Sequence, residues 1–169
     1  MTHRQIRPLT PEFARALAEC HIACWREAYP GLVPAHVLDA FQVEPLARRW
    51  TRDAERNPGC VFVAVDGGTV TGFAAAKPNH AADAIAEVEL NAIYVRSAWY
   101  GTGLADELLR VALDPARSCQ LWVFEANPRA QAFYRRHGFA LDGGRKVEEF
   151  TPAVQVRMVR PGRPVRVLV

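Results

Sequence analysis

A mixed α/β (α+β) fold is what this sequence predicts, and three observations predict it. Apolar runs of strand length alternate with amphipathic stretches of helical period. A two-glycine turn joins two of the runs as a hairpin, which requires antiparallel pairing. Further along, a strand–helix–strand stretch requires a parallel pair with a crossover. The chain has 169 residues, 50% of them apolar and 23% charged. That is a globular composition, long enough for one core and too short for two large domains. No uncharged run approaches the roughly 18 to 20 residues that cross a bilayer. The opening MTHRQIRP lacks the apolar region of a secretory signal, so a cytoplasmic location is expected.

The elements follow in order. Residues 3–8 read as a first strand. Thr10-Pro11-Glu12 opens a helix with a hydroxyl cap, a first-turn proline and an acid at the positive end of the dipole. Phe13, Leu17, Cys20, Cys24 and Ala28 mark its buried face, and Tyr29-Pro30-Gly31 ends it. A second helical region covers residues 34–56, interrupted near Glu44-Pro45. CVFVAV and VTGFAAA flank Asp66-Gly67-Gly68-Thr69 as the hairpin. A long strand is expected over residues 85–95, then a glycine loop and a helix over 102–113. The strand LWVFEA comes next, and then a helix from Asn127-Pro128 to Gly138. Phe139-Ala140-Leu141 and residues 153–159 complete the set. The order β-α-α-β-β-β-α-β-α-β-β gives a central sheet of about six to seven strands flanked by about four helices. Residues 1–160 form the expected domain, and residues 161–169 a short basic tail held loosely at the surface.

Net charge is +3, from 19 Arg and 2 Lys against 18 acids. That is too mild for a nucleic-acid binder and suits a polyanionic small ligand. Cys20, Cys24, Cys60 and Cys119 lack the spacing of a zinc or redox site, and core packing explains them. No metal is expected.

Two stretches carry the functional signal. In the first, a strand ends at Val95 and Tyr100-Gly101-Thr102-Gly103-Leu104-Ala105-Asp106 leads directly into a helix. Glycines allow close approach to a ligand, and a helix start offers unpaired N–H groups and a positive dipole end, which suits phosphate. A plain tight turn would use the same glycines. In the second, Asn127 caps a helix with Pro128 at its first position and Gly138 at its end. Phe133 and Tyr134 point about 100° apart on it, so one of them faces away from the core neighbour of the other.

Together these stretches resemble the GCN5-related N-acetyltransferase superfamily. The loop keeps both glycines and the small Ala105 of the family's [QR]-x-x-G-x-[GA], with Tyr100 where Gln or Arg is usual and Ser97 in place of a proline. The pattern N-x-x-A-x-x-x-Y-x-x-x-G-F is matched in full from Asn127 to Phe139. The resemblance implies a sheet splayed at a CoA cleft and acetyl-CoA as cosubstrate. It implies transfer to a primary amine, of a small molecule or a peptide, with no nucleic acid or membrane as partner and a homodimer as an open assembly state. It places pantetheine beside the main chain of Ile93, Tyr94 and Val95, and the pyrophosphate on the residues from Tyr100 to Asp106. Asn127, Phe133, Tyr134 and Arg136 also belong to the cofactor side, with Arg129 and Arg135 as further candidates for the nucleotide phosphates. Tyr134 becomes the acid that protonates the leaving thiolate. Glu89 becomes the candidate base, on a strand where Glu87, Glu89 and Asn91 share a face unless a bulge intervenes. An exposed sheet edge explains Glu87 better than Glu89. Trp25, Tyr29, Glu89 and Asn91 form the acceptor side, with Glu27 near a cation, although core packing also accounts for Trp25. A non-catalytic acyl-CoA sensor on the same fold stays open. A dinucleotide-binding fold fits less well, because its glycine loop follows the first strand.

Overall fold

The computed structural model of the chain describes residues 4–163. Residues 1–3 and 164–169, and with them most of the expected basic tail, lie outside the described residues. Seven strands form one mixed sheet in the order β1-β2-β3-β4-β5-β7-β6. They are β1 (Gln5–Pro8), β2 (Val61–Asp66), β3 (Thr69–Pro78), β4 (Val88–Val95), β5 (Cys119–Phe124), β6 (Ala140–Val147) and β7 (Val154–Arg160). Five α-helices join them: α1 (Ala14–Ala28), α2 (Ala35–Asp39), α3 (Val43–Arg56), α4 (Leu104–Ala112) and α5 (Pro128–Arg136). Among the described residues, no helix is long and apolar enough to cross a membrane.

The chain divides into two compact units, Met1–Ala76 with Ala92–Ala112, and Lys77–Asn91 with Leu113–Val169. In the first unit, β1 pairs antiparallel with β2, and β2 with β3 around the two-residue turn Gly67-Gly68. Alternation along these strands sends side chains to two separate apolar layers. Val61, Val63, Phe73 and Ala75 meet Leu17, Cys20 and Cys24 of α1 and Ala47, Trp50 and Ala54 of α3. Ala64 and Ala74, from the opposite face, meet Leu104 and Leu108 of α4. In the second unit, β5 pairs antiparallel with β7, and β7 with β6. The parallel pairing of β4 with β5 sets Val88 opposite Cys119 and Glu89 opposite Gln120.

β3 and β4 run antiparallel, and their bond pattern reveals a bulge. The N–H of Arg96 donates to the Thr71 carbonyl at one end, and that of Asn79 to the Glu87 carbonyl at the other. Eight steps along β3 therefore answer nine along β4, so β4 carries one extra residue. Strict alternation does not hold along the whole of β4.

Several sequence expectations are corrected. The helical region after Gly31 is broken at Ala40–Gln42, giving α2 and α3 and a fifth helix in place of four. Pro45 does not interrupt it, because it sits in the first turn of α3, where a helix has no N–H bond to lose. Thr10 precedes a short 3-10 turn and makes no side-chain cap. Its hydroxyl is buried without a hydrogen-bond partner among the described residues. β4 begins at Val88 rather than residue 85, and β6 extends to Val147 through an irregularity between Leu141 and Arg145. The described start of the tail is tied down, since the Arg163 N–H donates to the Pro115 carbonyl at 2.8 Å.

Candidate active site

The first unit holds the glycine loop. After Val95, a short 3-10 turn (Ser97–Trp99) delivers the chain to Tyr100, and α4 starts at Leu104. Gly101 and Gly103 adopt φ of +75° and +83°. L side chains disfavour that region by about 1–2 kcal/mol, which is why glycine stands at both positions. A Cβ added at either would meet no atom within 4 Å. The space above the loop is open, and the first-turn N–H groups of α4 belong to the part of a helix that lacks internal partners. Thr102 closes the turn by donating its hydroxyl to the Trp99 carbonyl at 2.7 Å. Tyr100 is exposed, whereas Leu104 anchors the helix in the core.

Glu27, expected near a cation, finds it inside the protein. Its carboxylate, near the end of α1, accepts from Arg96 Nε at 3.0 Å and Nη2 at 2.9 Å, and from the Ser97 N–H at 2.7 Å. Partial burial pushes this carboxyl's pKa up, but the Arg96 and Ser97 donors outweigh it and hold it below the usual carboxylate range. α1 is thereby pinned to the entry of the glycine loop. Arg4 and Glu107 add an ion pair between the segment preceding β1 and α4.

Trp25 and Tyr29, expected on the acceptor side, stand with Tyr94 in an aromatic cluster of the same unit. Tyr29 and Tyr94 join hydroxyls at 2.8 Å, and Trp25 packs edge-on against Tyr29. Burial pushes the Tyr29 phenol up to about 12, the bond from Tyr94 only partly opposing it. His21, one turn before Trp25, stacks on Tyr94 and leans on Trp50 and Phe73. Burial, assisted by the charge of Arg49, lowers its pKa to about 4, so the ring is neutral at physiological pH. Sequence reasoning expected the main chain of Tyr94 at the cofactor and missed its side chain. The signal was the i, i+4, i+8 spacing of His21, Trp25 and Tyr29.

The second unit carries Glu89 and the α5 motif. Glu89 Oε1 accepts from Asn91 Nδ2 at 3.3 Å and Oε2 from Gln120 Nε2 at 2.9 Å. Gln120 escaped the sequence reading, since a lone glutamine in an apolar strand announces nothing. Glu87 is exposed, ahead of β4, and accepts from the Ser118 N–H and hydroxyl. Those bonds hold its carboxyl below the usual range.

Asn127 caps α5, accepting from the Ala130 N–H at 3.1 Å. At the other end, the Gly138 N–H donates to the Arg135 carbonyl and the Phe139 N–H to that of Tyr134, a Schellman closure. The Tyr134 and Phe139 rings meet at 5.9 Å, and the Tyr134 carbonyl takes part in the closure. Phe133 packs against His137 at 4.8 Å and lies under the Arg136 guanidinium. Arg135 donates to Gln131 Oε1.

Cys20, Cys24 and Cys119 are buried, as the core reading expects, whereas Cys60 is only half-buried. Cys20 and Cys24 lie 3.8 Å apart, each with a buried sulfur, and hydrogen bonding between them together with burial raises the Cys24 pKa. Burial pushes Cys119 up to about 11. The raised Cys24 and Cys119 thiols stay protonated and unreactive. Among the described residues, no group of three or more His, Cys, Asp or Glu is placed to hold a metal ion.

Comparison with known proteins bears on the family and the fold. The sequence model of the acetyltransferase (GNAT) family matches residues 15–139, more than half of the chain. A probable N-acetyltransferase of Mycobacterium tuberculosis is 26% identical over 143 residues, which cover 82% of this chain and 81% of that protein. The fold is similar to the crystal structure of the PaiA N-acetyltransferase of Thermoplasma acidophilum in complex with coenzyme A. That chain is 19% identical with a TM-score of 0.71, over 94% of this chain and 99% of its own. An acetyltransferase from Thermus thermophilus is 25% identical with a TM-score of 0.63, over 94% and 96% of the two chains.

Proposed function

The chain belongs to the acetyltransferase (GNAT) family, and from that membership we propose that it moves the acetyl group of acetyl-CoA to a primary amine by direct attack. The acceptor is a small molecule or a peptide amine. Acetyl-CoA is the cosubstrate, and residues 1–160 are the transferase domain. The observation that carries this reading is the pair of left-handed glycines, Gly101 and Gly103, immediately before α4. They turn the main chain from Tyr100 to Asp106 toward open space, where its N–H groups and the helix dipole suit a pyrophosphate.

The reaction makes one bond and breaks one. The amine nitrogen attacks the thioester carbonyl, the oxygen carries the negative charge of a tetrahedral intermediate, and the C–S bond then breaks as the nitrogen releases its second proton to solvent, giving amide and thiolate. An ammonium of pKa about 10.4 must first lose its proton. Glu89, held by two amide donors, takes or relays that proton, with Asn91 and the Trp25–Tyr29 wall on the acceptor side. A main-chain N–H near the end of β4 polarises the carbonyl, as preorganised donors do for oxyanions. Tyr134 gives its phenol proton to the departing thiolate, whose conjugate acid has a pKa of about 8.5. Ile93, Tyr94 and Val95 lie along pantetheine by main-chain pairing. Asn127 and Phe133 fix α5, and Arg136 meets the nucleotide.

The test is to incubate the protein with acetyl-CoA and a panel of amines, following thiol release, for the wild type and Glu89→Gln. Turnover with at least one amine is expected, lowered roughly 10²- to 10⁴-fold in the variant at neutral pH. Binding of CoA without thiol release from any amine would favour the non-catalytic sensor. An unaltered pH profile in Glu89→Gln would remove it as the base.

A further inference from the structure

Gln120 lies on β5 with 1% of its surface exposed, between the buried Cys119 and Leu121. A primary amide is costly in such a place unless its polar atoms are engaged. Both ends are. Oε1 accepts from the Ile85 N–H at 3.1 Å, and Nε2 donates to Glu89 Oε2 at 2.9 Å. These two bonds fix the polarity of the amide. Reversed, it would set N–H against N–H at Ile85 and a carbonyl oxygen against the Glu89 carboxylate. Gln120 is also the register partner of Glu89, so the two side chains share a face of the sheet.

We infer that Gln120 is a positioning residue for acetyl transfer, holding the Glu89 carboxylate in one orientation to receive the amine proton. The inference rests on the reading of Glu89 as the base. A glutamate side chain has three torsions, and a base acts only within hydrogen-bond reach of the proton it takes. Asn91 holds Oε1 at the longer distance of 3.3 Å, and Gln120 holds Oε2 from a buried strand. The remaining lone pairs of the carboxylate are left for the amine proton or for a water carrying it. Gln120 itself gains and loses no proton.

Titratable and charged groups on β3, β5 and β7, and just ahead of β4, surround this carboxylate. Cys119, next along β5, stays a thiol up to about pH 11. Arg160 on β7 acts on that thiol. Glu87, two residues before Glu89, is occupied by Ser118 and Arg117. Lys77 on β3 stands opposite Glu89 in the register that the Asn79–Glu87 bond sets. The hydrogen bonds to Glu89 from Asn91 and Gln120 come from neutral amides.

Steady-state kinetics across pH 4–9, with acetyl-CoA and an amine the wild type accepts, tests the inference in Gln120→Met, Gln120→Glu, Glu89→Gln and the double variant Gln120→Met/Glu89→Gln. Gln120→Met should lower kcat by about 10-fold or more while KM for acetyl-CoA stays within about two-fold. In the Glu89→Gln background, the same change should cost nothing further, because the group it positions is gone. Gln120→Glu keeps an acceptor for the Ile85 N–H but sets a second carboxyl against the first. The rise of kcat/KM with pH should then move up by about one pH unit or more. Full kcat in Gln120→Met, equal losses in both backgrounds, or an unmoved profile in a folded Gln120→Glu overturns the inference. Should Gln120→Met fail to fold, the Gln120→Glu profile decides. Wild-type turnover and pH profile in Glu89→Gln alone would instead bring down the base assignment, and this inference with it.

Discussion

Glu27 Oε2 accepts a 2.7 Å hydrogen bond from the main-chain N–H of Ser97, four residues before the first glycine of the loop. The same carboxylate engages Arg96 through two nitrogens. A charged side chain on α1 thus sets the path by which the chain leaves β4. Glu27→Gln keeps an acceptor for Ser97 and removes the charge that pairs with Arg96. The Arg96 side chain is 38% exposed, so water screens the pair and about 1 kcal/mol is the most that should be lost. The expected outcome is a Tm lower by a few degrees and weaker CoA binding by calorimetry. The carboxyl's folded pKa is depressed, so its stabilisation is present above the unfolded value of about 4.3. It fades as pH falls through the lower folded value. Glu27→Gln should lack that acid-side loss.

His21 gives a second pH signature, of known sign. Folded, its pKa is about 4, against about 6.5 in the unfolded chain. Between these values the unfolded state binds the extra proton, so stability should fall as pH drops from 6.5 toward 4. The gap corresponds to roughly 3 kcal/mol. His21 Nδ1 has no hydrogen-bond partner among the described residues, so a phenylalanine sacrifices no bond there. His21→Phe should melt near the wild-type temperature at pH 7.5 and above it at pH 5. Equal displacement at both pH values would mean that His21 does not titrate on unfolding.

The fold was legible where local chemistry and tertiary structure agree. The Gly67-Gly68 hairpin, the Asn127 cap and the Gly138 stop are each set by a few adjacent residues, and each stands where the sequence placed it. Pro45 misled because proline breaks a helix interior but not its first turn, and sequence alone did not say which turn it occupied. The candidate site was legible in its loop and cap motifs and opaque in its partners. The Glu27–Arg96 pair spans 69 positions and Gln120–Glu89 spans 31. No periodicity encodes such pairs; only the register of the sheet and the placement of α1 bring them together.

The glycine loop separates strain from ligand exclusion. Gly103 has φ +83° and Gly31 has φ +81°, and a Cβ at either meets nothing within 4 Å. An alanine at either position should therefore cost a similar strain of about 1–2 kcal/mol. Gly103→Ala should in addition weaken CoA binding at least about ten-fold, because the methyl group would stand where the pyrophosphate approaches the main chain. Gly31→Ala should leave CoA affinity unchanged at the same loss of Tm. Equal CoA affinity in the two variants, measured by calorimetry, would take the pyrophosphate away from this loop.

Tyr134 lies on α5, which is closed at both ends, by the cap at Asn127 and by the Tyr134 carbonyl accepting from Phe139. That rigidity suits an acid that must meet a leaving group at a fixed point. If its hydroxyl protonates the thiolate, the bond exists only as the C–S bond breaks, so its loss lowers kcat and kcat/KM together. Tyr134→Phe should depress kcat by roughly 10²-fold or more, with CoA affinity within about three-fold of wild type. The lost proton donor should also matter less for an acyl donor whose leaving thiol is more acidic than CoA, because a better leaving group needs less help. A packing role makes the opposite forecast. The ring against Phe139 would survive, stability would fall by about 1 kcal/mol, and turnover would hold. Kinetics with two thioesters and one melting curve decide between the two, and full activity in Tyr134→Phe would hand the proton transfer to water.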